Sequence, residues 1–252
     1  MNNWSDPRLN ESVGADTSYH GSVGIPDATY DEGLRQHMLK VYNYMTLGVA
    51  LTGVVAYVVG NSSLINLFFT ETGISALGFV AMFAPLAMVL VMNFMINRLS
   101  TPALQFCFWA FAAVMGVSIS TIFLRYSDAS IAQIFFVTAA AFAGLSIWGY
   151  TTKKDLSGWG TFLIMGVWGL VIAGLANFFI FKSGVMMMAL SAMSVLIFAG
   201  LTAYDTKTIK SQYLVLRNTE FVGKAAIIGA LELYLDFINM FLNLLRLFGS
   251  ND

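Results

Sequence analysis

Charge is what this sequence has least of. Only 11% of its 252 residues are Asp, Glu, Lys or Arg, against about 25% in an average soluble domain, so the chain cannot solvate a surface of its own in water. It has no surplus of positive charge either, with 13 Lys and Arg against 14 Asp and Glu. Without a basic stripe to neutralise phosphates, a nucleic-acid partner is excluded. A single cysteine, Cys107, lies inside an apolar segment; it rules out a disulfide framework within the chain and reads as a small buried apolar residue. The two histidines, His20 and His37, sit in or near the hydrophilic amino-terminal stretch. No metal-ligand spacing, nucleophile motif or EF-hand loop accompanies them, so an enzyme is not expected.

What the chain does have is apolar length. Hydrophobic residues make up 58% of it and the mean hydropathy is +0.72. Seven apolar segments stand out, roughly 41–60, 77–97, 102–124, 130–150, 159–181, 184–204 and 223–247. Each is close to the roughly 20 residues that cross a bilayer. They are punctuated by turn formers such as Gly60-Asn61-Ser62-Ser63, Ser100-Thr101-Pro102 and Ser127-Asp128-Ala129. The expected fold is an all-α membrane protein, one seven-helix bundle over 36–249 with no second large domain. Residues 1–35 lack both an apolar run and the basic start of a signal peptide, and are expected to form a flexible, uncleaved cytosolic tail.

Basic residues orient the bundle. With the amino terminus in the cytosol, Arg8, Arg35, Lys40, Arg98, Lys153, Lys154, Lys207, Lys210, Arg217 and Lys224 fall inside, and Arg125, Lys182 and Arg246 outside. That distribution is a positive-inside bias. Small residues recur at spacings of three and four, Ala139, Ala140, Ala143 and Gly144 in the fourth segment and Gly166, Gly169, Ala173 and Gly174 in the fifth. They are expected to let helices approach closely. Met186, Met187 and Met188 read as packing and lipid contacts.

Against this background the acids are conspicuous. Glu232, Asp236, Asn239, Asn243 and Arg246 follow one another by three or four residues, which puts them on one face of the last segment. A carboxylate at bilayer depth costs roughly 2.5 to 3.5 kcal/mol on insertion scales and persists where it faces other helices, water or an ion. Asp205 closes the sixth segment, and Arg98 the second. Counting 1.5 Å per residue from Lys224, Asp236 lies about 18 Å inside. The three charges converge if the sixth helix continues to about Lys210 and the seventh is short or tilted. Two carboxylates sharing a low-dielectric site cannot both ionise easily and take up a proton, an effect that Arg98 would oppose. Carboxylate oxygens are also what Ca²⁺ prefers. Glu232 ranks below the aspartates, being nearer the surface where an acid is simply solvated.

Three strings, Gly149-Tyr150-Thr151-Thr152-Lys153-Lys154-Asp155-Leu156-Ser157, Gly200-Leu201-Thr202-Ala203-Tyr204-Asp205-Thr206 and Leu233-Tyr234-Leu235-Asp236-Phe237-Ile238-Asn239-Met240-Phe241 followed by Leu244-Leu245-Arg246, resemble the Bax inhibitor-1 (transmembrane BAX inhibitor motif) family, its bacterial branch in particular. The resemblance covers about residues 35–249. It implies a bundle with a central last helix and a pH-sensitive calcium leak, in which Asp205 and Asp236 match the paired aspartates of the pH sensor and Arg98 matches an arginine that bonds to them. Where some relatives carry an acid in the second segment, Ala84, Ala87 and Met88 stand here. A lysine-rich tail found in some eukaryotic members is missing, which points to a bacterial plasma membrane.

The function expected is therefore a pH-gated leak for Ca²⁺, the ion passing or pausing at Asp205 and Asp236, with no covalently bound cofactor. Its partners would be the lipid bilayer, calcium and protons. A proton-coupled transporter would use the same acids as a relay, and a regulator of membrane-protein quality control would act through contacts of the tail with other membrane proteins. A retinal receptor is disfavoured because the seventh segment has no lysine deeper than Lys224.

Overall fold

The computed structural model describes residues 27–70 and 73–250. Most of the expected tail, residues 1–26, lies outside the described residues, and the first helix already begins at Asp27 rather than at the expected boundary of 36. The helices are α1 (Asp27–Gly60), the single turn α2 (Ile65–Phe68), α3 (Ala76–Met95), α4 (Thr101–Ile119), α5 (Asp128–Thr151), α6 (Ser157–Ala176), α7 (Gly184–Leu216) and α8 (Val222–Phe248). Between α2 and α3 a two-residue antiparallel ladder pairs β1 (Phe69–Thr70) with β2 (Gly73–Ile74). A 3₁₀ segment, Ser120–Leu124, extends α4, and a π-helical turn, Asn177–Phe181, extends α6.

Serines set four of the helix starts. Ser75, Ser100, Ser127 and Ser183 accept from the backbone N–H of Gly78, Ala103, Ser130 and Met186, at 3.0 to 3.3 Å. Each satisfies a donor that the first turn leaves without an intrahelical partner. The turn formers legible in the sequence therefore punctuate the chain by capping. Seven helices are long and apolar enough to cross a membrane, and apart from the early start of α1 they lie within a few residues of the seven expected segments, with two differences.

The first is α7, which does not stop near 204 but continues to Leu216. Its extension is held from outside the helix: Tyr213 packs on His37 of α1 with ring centroids 5.0 Å apart, Lys210 Nζ donates to Tyr150 O at 2.9 Å, and Lys207 Nζ donates to Lys154 O. The second is α8, which is not short. Its 27 residues extend about 40 Å. At its start Lys224 Nζ reaches Ile96 O at 3.1 Å, beside the end of α3. Just past its end, Ser250 N–H donates to Ser130 Oγ at 3.0 Å and Ser127 N–H to Ser250 O at 3.2 Å, at the start of α5. So α8 passes from one end of the bundle to the other.

Helix α8 is also the axis. Of its most apolar stretch 67% is buried, against 11 to 39% in the other six spans, and it packs on α7, α1, α5 and α4 while α3 and α6 lie outside on α4 and α7. At its centre Tyr234 is fully buried between the edges of Phe108 and Phe111, and its hydroxyl lies 2.7 Å from Thr52 Oγ1. The outer faces of the bundle turn residues such as Phe94, Phe136, Phe162 and Ile172 outward, an apolar surface that suits lipid.

The small residues do not all do what was expected of them. A Cβ on Gly166 would meet Ile197, a true helix contact, but Gly144, Gly169 and Gly174 have nothing within 4 Å. The close approaches fall elsewhere. A Cβ at Gly149 would lie 2.4 Å from Ala203 O, and one at Gly229 2.9 Å from Ile209 Cγ1.

Candidate functional site

Those two contacts bracket the acids. Gly229 on α8 closes against Ile209 on α7, one turn from Glu232 and Asp205, and Gly149 lets α5 rest on α7 two residues before Asp205. The antiparallel α7–α8 seam continues with Thr202 Oγ1 3.6 Å from Met240 Sδ and Arg246 Nη1 3.3 Å from Ser191 Oγ. The polar stripe of α8 therefore faces α7 along its length.

The acids lie at matched depths because α7 is long. Asp205 lies about 17 Å from the carboxyl end of α7; Glu232 and Asp236 lie about 15 and 21 Å from the amino end of α8, at 1.5 Å per residue. Asp205 and Asp236 are within hydrogen-bonding reach of each other, and Asp205 and Glu232 are within electrostatic reach. Asp236 is buried and its Oδ2 has no hydrogen-bond donor. The Thr206 hydroxyl, fully buried one residue after Asp205, also lacks a partner.

The cations are engaged elsewhere. Lys207, Lys210 and Lys224 donate to backbone carbonyls, and among the described residues no Lys or Arg forms an ion pair with any of the three acids. Arg98, expected beside them, is exposed in the turn between α3 and α4, and no side-chain hydrogen bond or ion pair joins it to Asp205 or Asp236. The end of α3 meets α8 only near its start, where Lys224 Nζ donates to Ile96 O, about 18 Å along the helix from Asp236. Glu232, expected to be solvated, is half-buried and faces Asp205, because the α7 extension covers it.

The rest of the stripe splits off from the acids. Asn239 Nδ2 donates to Leu235 O and Asn243 Nδ2 to Asn239 O, both at 2.8 Å, and Arg246 Nη1 donates to Asn243 Oδ1 at 3.3 Å. This half ties α8 to itself and to α7. Among the described residues no three His, Cys, Asp or Glu side chains converge closely enough to hold a metal ion. Ca²⁺ takes six to eight oxygens, and the described residues build no closed cage of that kind.

The fold and site define a polytopic membrane protein of seven apolar spans with acids gathered between α7 and α8. The model of the family described as Inhibitor of apoptosis-promoting Bax1 matches residues 34–252, and the chain belongs to this Bax inhibitor-1 family. It is 44% identical over 221 residues to the inner membrane protein YbhL of Escherichia coli K12, covering 86% of this chain and 93% of that one. An uncharacterized protein of Rickettsia prowazekii is 42% identical over 222 residues, 88% of this chain and 92% of the relative. An uncharacterized membrane protein of Streptococcus pyogenes is 37% identical over 222 residues, 88% and 96% of the two chains. The protein is thus an integral membrane protein in contact with the bilayer.

Proposed function

We propose that this protein is a proton-gated leak for cations, Ca²⁺ among them, with Asp205 and Asp236 as sensor and gate. The observation that carries the proposal is three carboxyls at one depth, Asp205, Glu232 and Asp236, with which no Lys or Arg among the described residues forms an ion pair. Such a set is neutralised in only two ways, by protons or by an entering cation. With a proton shared, the Asp205–Asp236 contact is a hydrogen bond that pins α7 to α8. With both ionised, the two repel, the pin is released and a divalent ion is attracted. Glu232 lies on the path to the nearer bundle end and would pass ions to the pair. Arg98 acts in this scheme only if the end of α3 shifts along α8 toward the acids when the pin opens. The end that gathers Arg35, Lys40, Arg98, Lys153, Lys154, Lys207, Lys210, Arg217 and Lys224 faces the cytosol of a bacterial inner membrane.

The test is Ca²⁺ flux into proteoliposomes between pH 5 and 8. Wild type should show protein-dependent flux that changes with pH. Asp205→Asn and Asp236→Asn, which mimic the protonated carboxyl, should each hold flux at the wild-type acid-end level throughout. Absence of protein-dependent flux, or pH profiles that both substitutions leave unchanged, sinks the proposal.

A further inference from the structure

Helices α1 and α5 do not close against each other. Between them a groove of about 750 Å³ opens along the side of the bundle, and Phe237 of α8 forms its floor. It runs from Arg35 to Ala50 on α1, about 22 Å at 1.5 Å per residue, which exceeds one leaflet of a hydrocarbon core roughly 30 Å thick. Ala139 and Ala143 leave its α5 wall low. A smaller crevice of about 340 Å³ shares Val49, Phe135 and Phe237 and carries the seam further, to Tyr57.

The groove is apolar along its length and polar at one end. Arg35 stands at that mouth together with Tyr150, and Lys210 Nζ lies 4.5 Å over the Tyr150 ring. About 6 Å deeper along α5, Ser146 lines the same groove at 5% exposure, and its hydroxyl has no hydrogen-bond partner. A buried helical serine or threonine normally donates back to the carbonyl one turn earlier, as Thr138 does to Ile134 O at 2.7 Å. Leaving a hydroxyl unpaired in an apolar wall is costly. An acceptor in the groove would remove that cost.

We propose that the α1–α5 groove binds one anionic phospholipid. An acyl chain lies over Phe237 along Ala139 and Ala143, the phosphate sits at Arg35, and an ester carbonyl accepts from Ser146 Oγ once a χ1 turn brings that closed-off atom out of the wall. Arg35 already pairs with Glu32 at 3.2 Å, but that pair is exposed and worth little, so a phosphate can replace it with the two-pronged contact that guanidinium favours. The occupant is a lipid and not a soluble amphiphile because the groove opens sideways from two spans that meet the bilayer. It is anionic because Arg35 at the mouth and Lys210 beside Tyr150 outweigh the one acid there, Glu32.

The experiment is native mass spectrometry of the full chain, delipidated in mild detergent and titrated with phosphatidylglycerol or phosphatidylcholine. Wild type should take up one phosphatidylglycerol per chain, saturably, and about tenfold or more tightly than phosphatidylcholine given two cations at the mouth. Arg35→Gln should lose that preference while still binding lipid. Ala143→Trp, which fills the groove, should cut bound lipid at least several-fold. Equal, unsaturable binding of the two lipids by wild type means annular lipid only and overturns the proposal, as does an Ala143→Trp protein that folds and binds as wild type does. Should Ala143→Trp fail to fold, the wild-type titration and Arg35→Gln decide the matter.

Discussion

The hydroxyl of Tyr234 is fixed by a chain of donors in the driest part of the bundle. Thr52 Oγ1 donates its only proton to Ala112 O at 2.7 Å, so in the 2.7 Å contact with Tyr234 it must accept. Removing the donor and removing the acceptor are then unequal. Tyr234→Phe loses one hydrogen bond, about 0.5 to 1.5 kcal/mol, whereas Thr52→Val strands the buried phenol and should cost about 1 to 3 kcal/mol. Thermal unfolding in detergent would rank them, and the reverse order would refute the assignment of donors. Outside the membrane, Asp155 Oδ1 accepts from Ser157 N–H at 2.9 Å and from the Ser157 hydroxyl, and these bonds hold its carboxyl below the usual carboxylate range. A lowered value means the carboxylate supports the first turn of α6 at all pH above that range, and the support is lost only as pH falls through the lowered value. Asp155→Ala should therefore speed amide exchange in Ser157–Gly160 at pH 6 relative to wild type, and the difference should fade in strong acid. At this scale the sequence was informative where a residue breaks an apolar pattern, as Glu232 and Asp236 do. It was silent on Ser146 and Thr206, whose lack of partners depends on which helices pack beside them.

Between helices, two glycines of α5 lie five residues apart and have opposite surroundings. A Cβ at Gly149 would sit 2.4 Å from Ala203 O and 2.9 Å from Ala203 Cα, backbone that cannot give way, whereas one at Gly144 meets nothing within 4 Å. Gly149→Ala should force α5 off α7 at a cost of about 1 to 3 kcal/mol. Gly144→Ala should be neutral or stabilising by up to about 1 kcal/mol through helix propensity. Denaturant unfolding of the two variants tests this, and a shared sign would show that the α5–α7 contact is not the tight one. Spacing alone marked Gly144 as a packing residue and overlooked Gly149, because which helix lies opposite is a property of the assembled bundle. The continuation of α7 past Tyr204 was hidden for a related reason. Apolar periodicity ends at Asp205-Thr206-Lys207, and what holds the next turns is distant in sequence: Tyr213 on His37, and Lys207 and Lys210 on the end of α5. The site depended on that continuation, since without it Asp205 would sit at a helix end and Asp236 far inside.

For the molecule as a whole, seven crossings fix the relation between the two ends. Four junctions, at the start of α1 and after α3, α5 and α7, are drawn together by Lys224 on Ile96 O, Lys210 on Tyr150 O and Tyr213 on His37. Ser250 beyond α8 meets Ser127 and Ser130 at the far end, and the loop after α1 lies there too, since a Cβ on Gly60 would touch Phe123 and Ser120 O. Apolar length and capping serines made the number and order of spans readable, but only the contacts at both ends of α8 establish that it crosses completely. Cysteine labelling in a Cys107→Ala background would check the arrangement. Exposed Ser63→Cys and Ser250→Cys should react with a membrane-impermeant maleimide from one face of the membrane, and exposed Thr219→Cys only from the other. If the cation-rich end faces the cytosol, intact spheroplasts label the first two and spare the third. Labelling of Ser250→Cys together with Thr219→Cys would mean that α8 re-enters without crossing, and the acid site would then sit in a half-spanning hairpin instead of along the axis of a closed bundle.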